Sequence, residues 1–122
     1  MRLNHLNLAV SDLAAAQAFF EELFDFQFLG KAGDLIVALD DGHGFMLVLA
    51  NATRFDKAAP VYPEPFHVGF NLDDRAQVDA MYQRVLAAGI ATEQAPQKRH
   101  GHYGFYFRAL DGIRFEVATH RE

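Results

Sequence analysis

Residues 3–10, LNHLNLAV, alternate with a period of two: Leu6, Leu8 and Val10 take one side, and His5, Asn7 and Ala9 the other. Such alternation predicts a half-buried strand. The period then changes. In SDLAAAQAFFEELF, Leu13, Ala16, Phe19, Phe20 and Leu23 recur at helical spacing behind Ser11 or Asp12 as N-cap. Two strand-like runs follow, DFQFLGKAG and DLIVALD; DDGHG at 40–44 reads as a hairpin loop, and FMLVLAN returns as a fourth strand. Residues 52–65 hold Pro60, Pro63 and Pro65 with little periodicity and read as a linker.

After the linker the pattern starts again. FHVGFNLDD predicts a strand running into a cap at Asp73 or Asp74, and RAQVDAMYQRVLAAG an amphipathic helix closed by Gly89 as the C′ residue. IATEQA, GFYFRA and IRFEVAT predict three more strands, the last two joined by a turn at LDG. The order is therefore βαβββ, linker, βαβββ, with modules at 1–51 and 66–120. A shift of 62 positions superposes His5 on His67, Leu8 on Phe70, Val10 on Leu72, Asp12 on Asp74 and Ala14 on Ala76. The class is α+β. Each module alone is too small to bury a good core, so modules are expected to pair within the chain or with another chain.

Composition narrows the function classes. The 122 residues suit one ordinary domain, and a 51% hydrophobic content with twelve Phe supports a packed core. The absence of cysteine removes disulfides, thiolate nucleophiles and zinc–thiolate sites. With a net charge of −5 and scattered Lys and Arg, no electrostatic footprint for nucleic acid is expected. No apolar run is long enough to span a membrane, and the start of the chain does not read as a signal peptide. A cytoplasmic protein acting on a small molecule is the expectation.

Candidate chemistry comes from the faces. In FHVGFNL the apolar face is Phe66, Val68, Phe70 and Leu72, which puts His67, Gly69 and Asn71 opposite. In IRFEVAT, Arg114, Glu116 and Ala118 lie opposite Ile113, Phe115, Val117 and Thr119. His5, His67 and Glu116 thus all project away from the core faces. Two imidazoles and a carboxylate suit a divalent first-row ion such as Fe, Mn, Zn, Ni or Co, and leave coordination positions open. The competing reading of each residue alone is a hydrogen-bonded strand His or a solvated Glu; the repeat of His5 in His67 favours the metal.

HLNLAVSDLAAAQAFFEELFDF, FHVGFNLDD and LDGIRFEV resemble the vicinal oxygen chelate superfamily, which holds glyoxalase I, fosfomycin-resistance, bleomycin-resistance and extradiol dioxygenase proteins. The resemblance covers nearly the whole chain. It implies paired βαβββ modules forming a cup-shaped mixed sheet, a metal held by His5, His67 and Glu116, and a homodimer. Asn7, on the His5 face, and Arg108, on the Tyr106 face, are the candidate substrate contacts, and Tyr106, with His100 or His102 in RHGHYG, the implied catalytic groups. Glyoxalase I resembles this layout but takes a fourth ligand where this chain has Val48. Fosfomycin transferases share the three-ligand set, but their serine-rich loop has no counterpart in QKRHGHYG. Extradiol dioxygenases match in Tyr106, Gly112 and Glu116, with Leu110 replacing a proline. A bleomycin-type binder, with an apolar groove and no catalysis, is the non-enzymatic alternative. The expectation is a metal-dependent lyase, transferase or dioxygenase.

Overall fold

The computed structural model describes residues 1–121, and its Cα packing divides the chain between Val61 and Tyr62. The first unit runs β1 (His5–Val10), α1 (Leu13–Phe24), β2 (Gln27–Ala32), β3 (Ile36–Asp40), β4 (Met46–Asn51) and a short α2 (Ala52–Phe55). Its sheet has the order β1-β4-β3-β2, with β1 parallel to β4 and the other neighbours antiparallel. The parallel pair needs a crossover, which α1 and the β2–β3 hairpin supply. Asp12 caps α1 by accepting from Ala15 N at 3.0 Å. Asp25 ends it in the left-handed region at φ 61°, and Phe26 N returns to Phe20 O at 3.2 Å. Phe20 and Leu23 of the helix are buried, as are Leu8, Val10, Val37, Leu39, Leu47 and Leu49 of the sheet, and α1 packs on β3 and β4.

The second unit repeats the plan with β5 (His67–Asn71), α3 (Arg75–Ala87), β6 (Gln97–Arg99), β7 (His102–Ala109) and β8 (Ile113–Thr119), in the order β5-β8-β7-β6. Asp74 caps α3 through Gln77 N, while the Gln77 side chain accepts from Asp73 N, both at 2.9 Å. Gly89 follows the helix at φ 80°, the C′ geometry expected of it. Val78 and Val85 of α3 are buried, together with Phe105 and Phe107 of β7 and Ile113, Phe115 and Val117 of β8; α3 packs on β7 and β8.

Three local expectations change. IATEQA forms no strand beyond one bridge, Thr92 to Phe107, and the edge strand is Gln97–Arg99 instead. Pro96 supplies no N–H for a ladder continuing into that strand. The strand expected from Gly104 already begins at His102, because His100 (φ 46°) and Gly101 (φ 84°) make a two-residue hairpin turn that sets Arg99 opposite His102. The start of the predicted linker is helical over Ala52–Phe55.

Candidate functional site

The face of the second sheet turned away from α3 is built by strand alternation. Glu116 on β8 stands opposite Gly69 of β5 and Tyr106 of β7, and Gln97 and Arg99 of β6 continue the row beside Gly104 and His102. Three side chains converge on the Glu116 carboxylate. Tyr106 OH donates to Oε2 at 2.7 Å, His102 Nε2 lies 3.0 Å from the same oxygen, and His67 Nε2 lies 3.8 Å from Oε1. Glu116 and His102 are mostly covered, at 18% and 17% exposure, while His67 is open to solvent at 43%.

The two carboxylate oxygens differ. Oε2 accepts from Tyr106 OH and has His102 Nε2 beside it. Oε1 faces the backbone of Gly69, where even a methyl group would sit 3.5 Å away, and His67 at a separation too long for a hydrogen bond. His67 Nδ1 is 3.1 Å from Pro65 O, and a carbonyl oxygen only accepts, so Nδ1 carries the proton. With Nδ1 against Pro65 O, His67 turns Nε2 toward a carboxylate oxygen. An imidazole nitrogen and a carboxylate oxygen facing one another at this separation are a donor set that a cation fits, and a backbone carbonyl on the far nitrogen is a recurrent support for metal-binding histidines.

His5 in the first unit is arranged alike. Its Nδ1 lies 2.8 Å from Asn4 Oδ1, which leaves Nε2 as the nitrogen turned away from that contact. Asn7 is exposed on the same face of β1, opposite Val48 of β4. Among the described residues, no three His, Asp or Glu side chains are gathered as the ligands of one ion. The second unit supplies the His67 and Glu116 pair.

A further layer braces Tyr106. The Arg114 guanidinium lies 4.0 Å from the centre of the Tyr106 ring and holds Glu93 through Nε at 2.9 Å and Nη2 at 3.0 Å. The bond from Arg114 holds the Glu93 carboxyl below its ordinary range, and the same pairing raises Arg114. Burial first, then the bond to Glu116, pushes the Tyr106 hydroxyl above its ordinary value. Tyr106 thus stays protonated and donating to Glu116 through neutral pH. A cavity of about 270 Å³ opens beside these groups, with Glu93, Gln94, Gln97, Arg99, His102 and Tyr106 in its polar wall.

The sequence-derived candidates separate. His102 and Tyr106 both bind Glu116, whereas His100 sits exposed at the hairpin tip. Arg108, on the Tyr106 face, donates to Glu64 at 2.8 Å and to Gly112 O at 2.9 Å. Sequence reasoning missed the Glu93–Arg114 brace, whose partners are 21 residues apart with no pattern to join them. It also missed His120, whose ring packs 5.6 Å from His102 and whose Nδ1 lies 3.3 Å from Asn71 Oδ1. Alternation carried past Thr119 would have found it.

Residues 2–117 match the sequence profile of the glyoxalase/bleomycin resistance protein/dioxygenase superfamily. The chain is 26% identical over 118 residues to the metallothiol transferase FosB of Bacillus licheniformis, covering 96% of this chain and 74% of that one. Its fold superposes on a possible glyoxalase from Bacillus cereus with a TM-score of 0.81 at 36% identity, over 96% of this chain and 97% of that chain. A lactoylglutathione lyase from Agrobacterium tumefaciens gives 0.79 at 27% identity, over 97% and 92%. No helix among the described residues is long and apolar enough to cross a membrane.

Proposed function

The chain belongs to the glyoxalase/bleomycin resistance protein/dioxygenase superfamily, and from that premise we propose that it is a divalent-metal-dependent enzyme acting on the vicinal oxygens of a small substrate. His67 Nε2 and Glu116 Oε1 are the proposed ligands from the second unit, and His5 Nε2 is the third. The observation that carries this reading is the shared arrangement of the two repeat histidines, each with Nδ1 against an oxygen, Asn4 Oδ1 or Pro65 O, and Nε2 turned away from it. A metal bound there supplies Lewis acidity toward substrate oxygens.

The chain's own groups have separate tasks in this reading. Tyr106 holds Glu116 through Oε2, with His102 beside the same oxygen, which orients the carboxylate and reserves Oε1. Arg114 and Glu93 keep the Tyr106 ring in place. His102, on the wall of the cavity, is also the histidine positioned to exchange a proton with a molecule held there, since its ring borders both Glu116 and the open volume. His100, exposed at the hairpin tip, has the lesser claim to that role. The protein is proposed as a homodimer. The metallothiol transferase and lactoylglutathione lyase relatives favour transferase or lyase chemistry on a thiol-bearing substrate, and His102 beside Tyr106 keeps an Fe(II) dioxygenase as the second reading.

Metal content after reconstitution tests the proposal. Wild-type protein is expected to retain a stoichiometric ion, and His67→Ala, Glu116→Ala and His5→Ala each to lose most of it. Equal, near-zero metal in all four proteins sinks the reading and favours a ligand-binding protein. With metal retained, oxygen uptake with a catechol and Fe(II) separates the dioxygenase from consumption of a thiol.

A further inference from the structure

His67 owes its orientation to a carbonyl that lies outside the sheet. β5 begins at His67 itself, so the Pro65 carbonyl against Nδ1 belongs to the connection before the strand. That connection is a tight turn: Phe66 N donates to Pro63 O at 3.0 Å, with Glu64 and Pro65 between them. Pro63 and Pro65 fix two of its φ angles, and the Tyr62 ring stacks on Phe66 with centroids 4.7 Å apart. All of these contacts are local to the turn.

Glu64 ties the turn to a distant part of the sheet. Its Oε1 accepts from Arg108 Nη2 at 2.8 Å, 44 residues along the chain, and Arg108 Nη1 donates to Gly112 O at 2.9 Å. One guanidinium thus joins the turn before β5 to the turn that closes β7 on β8. The strand register explains why Arg108 takes a carboxylate. It stands directly opposite Arg114, on the same face, and Arg114 stands opposite His67. Like charges so placed are destabilising, and each has its own counter-ion: Glu93 for Arg114 and Glu64 for Arg108. Glu64 and Arg108 are exposed, at 89% and 41%, so their pair contributes little to overall stability. Its consequence is local. Glu64 immediately precedes Pro65, and moving it moves the carbonyl that His67 Nδ1 meets.

We infer that Glu64 and Arg108 form a latch on the 62–66 turn and are thereby positioning residues for His67. The purpose of the latch, aiming His67 Nε2 at an ion, rests on the reading of His67 as a metal ligand. Arg108 is assigned by it to holding the site, with both arms of its guanidinium engaged on Glu64 and Gly112.

Two measurements test the latch, in about 0.15 M salt so that the fields of distant exposed charges are screened. One is metal affinity by chelator competition. The other, in metal-free protein, is the pair of ring-nitrogen shifts of His67, read through its carbon-bound ring protons. Glu64→Gln and Arg108→Gln are each expected to weaken metal binding about two- to fivefold, the scale of one exposed ion pair, with the unfolding midpoint unchanged. The double variant should bind no more weakly than either single, since both changes remove the same bond. Glu64→Asp, with the charge on a shorter arm, should keep part of the affinity. Arg108→Gln is the decisive variant. It takes a positive charge away from a cation site, so charge alone would tighten metal binding, whereas loss of the latch weakens it. In metal-free protein both single variants should move the His67 ring shifts. Metal affinity that holds or rises in Arg108→Gln, or His67 shifts identical to wild type, overturns the latch. The premise fails separately: latch-dependent His67 shifts in a protein that takes up no metal uphold the latch and overturn the metal centre.

Discussion

At the scale of single residues, Glu116 is defined by how its two oxygens are used. Tyr106 donates to Oε2 with His102 beside it, whereas Oε1 faces Nε2 of His67. Tyr106→Phe removes one donor while keeping the ring that Arg114 covers, so the stacking survives. On the metal reading, Tyr106→Phe is expected to weaken metal affinity about ten- to a hundredfold, as loss of a ligand's supporting hydrogen bond does. A competition titration with a chromophoric chelator reads this directly; an affinity within twofold of wild type would show that Tyr106 does not hold the carboxylate. The faces of His67 and Glu116 were legible in the sequence because a strand has a strict period of two, and alternation alone turns them away from the core. The contacts that orient each of them were not. They reach Pro65 O and Tyr106 OH, partners set by backbone course and by strand pairing, and neither leaves a trace in residue spacing.

At the scale of elements, the edge of the second sheet is where sequence and structure parted. IATEQA was expected as a strand, and one bridge at Thr92 is all that it forms; only Ile90 and Thr92 in it are strand-favouring residues. The determining signal was the His100–Gly101 turn, which pairs β6 with β7 and brings Gln97 and Arg99 to the site face. RHGHYG carries no apolar alternation, so hydrophobic periodicity could not reveal the hairpin. Gly104 in β7 shows how tightly the strands beneath the cavity fit. A methyl group there would lie 2.3 Å from Val117 O and 2.7 Å from the Ala118 Cβ, contacts no rotamer change relieves. Gly104→Ala is therefore expected to destabilise the protein by about 1–3 kcal/mol, the range for overpacking a filled interior. Urea unfolding checks it against Gly30→Ala, whose methyl group would meet nothing within 4 Å and which should shift stability by no more than about 0.5 kcal/mol. Equal effects at the two glycines would refute the assigned β7–β8 packing.

At the scale of the whole molecule, the two units share strand order and register, and the repeat read from His5 and His67 extends to positions that differ in kind. Asn7 pairs with Val48 as Gly69 pairs with Glu116, and Ala38 pairs with Val48 as Tyr106 pairs with Glu116. The first unit thus lacks both the carboxylate and the hydroxyl that orients it. A carboxylate restored alone would have no donor from Ala38 and would keep its rotamer freedom, which binding an ion must then remove. Val48→Glu alone is accordingly expected to change metal affinity little, while Ala38→Tyr with Val48→Glu recreates the pair on the same face as His5. The double variant should bind metal more tightly than the two single changes predict together, a coupling expected at roughly 0.5–3 kcal/mol for residues in direct contact. Metal affinity across wild type, both singles and the double measures that coupling by a thermodynamic cycle, and lyase activity toward a glutathione hemithioacetal is the functional readout. Additive effects would mean that the matching registers do not place the two side chains in contact, and that the likeness of the units ends at the backbone.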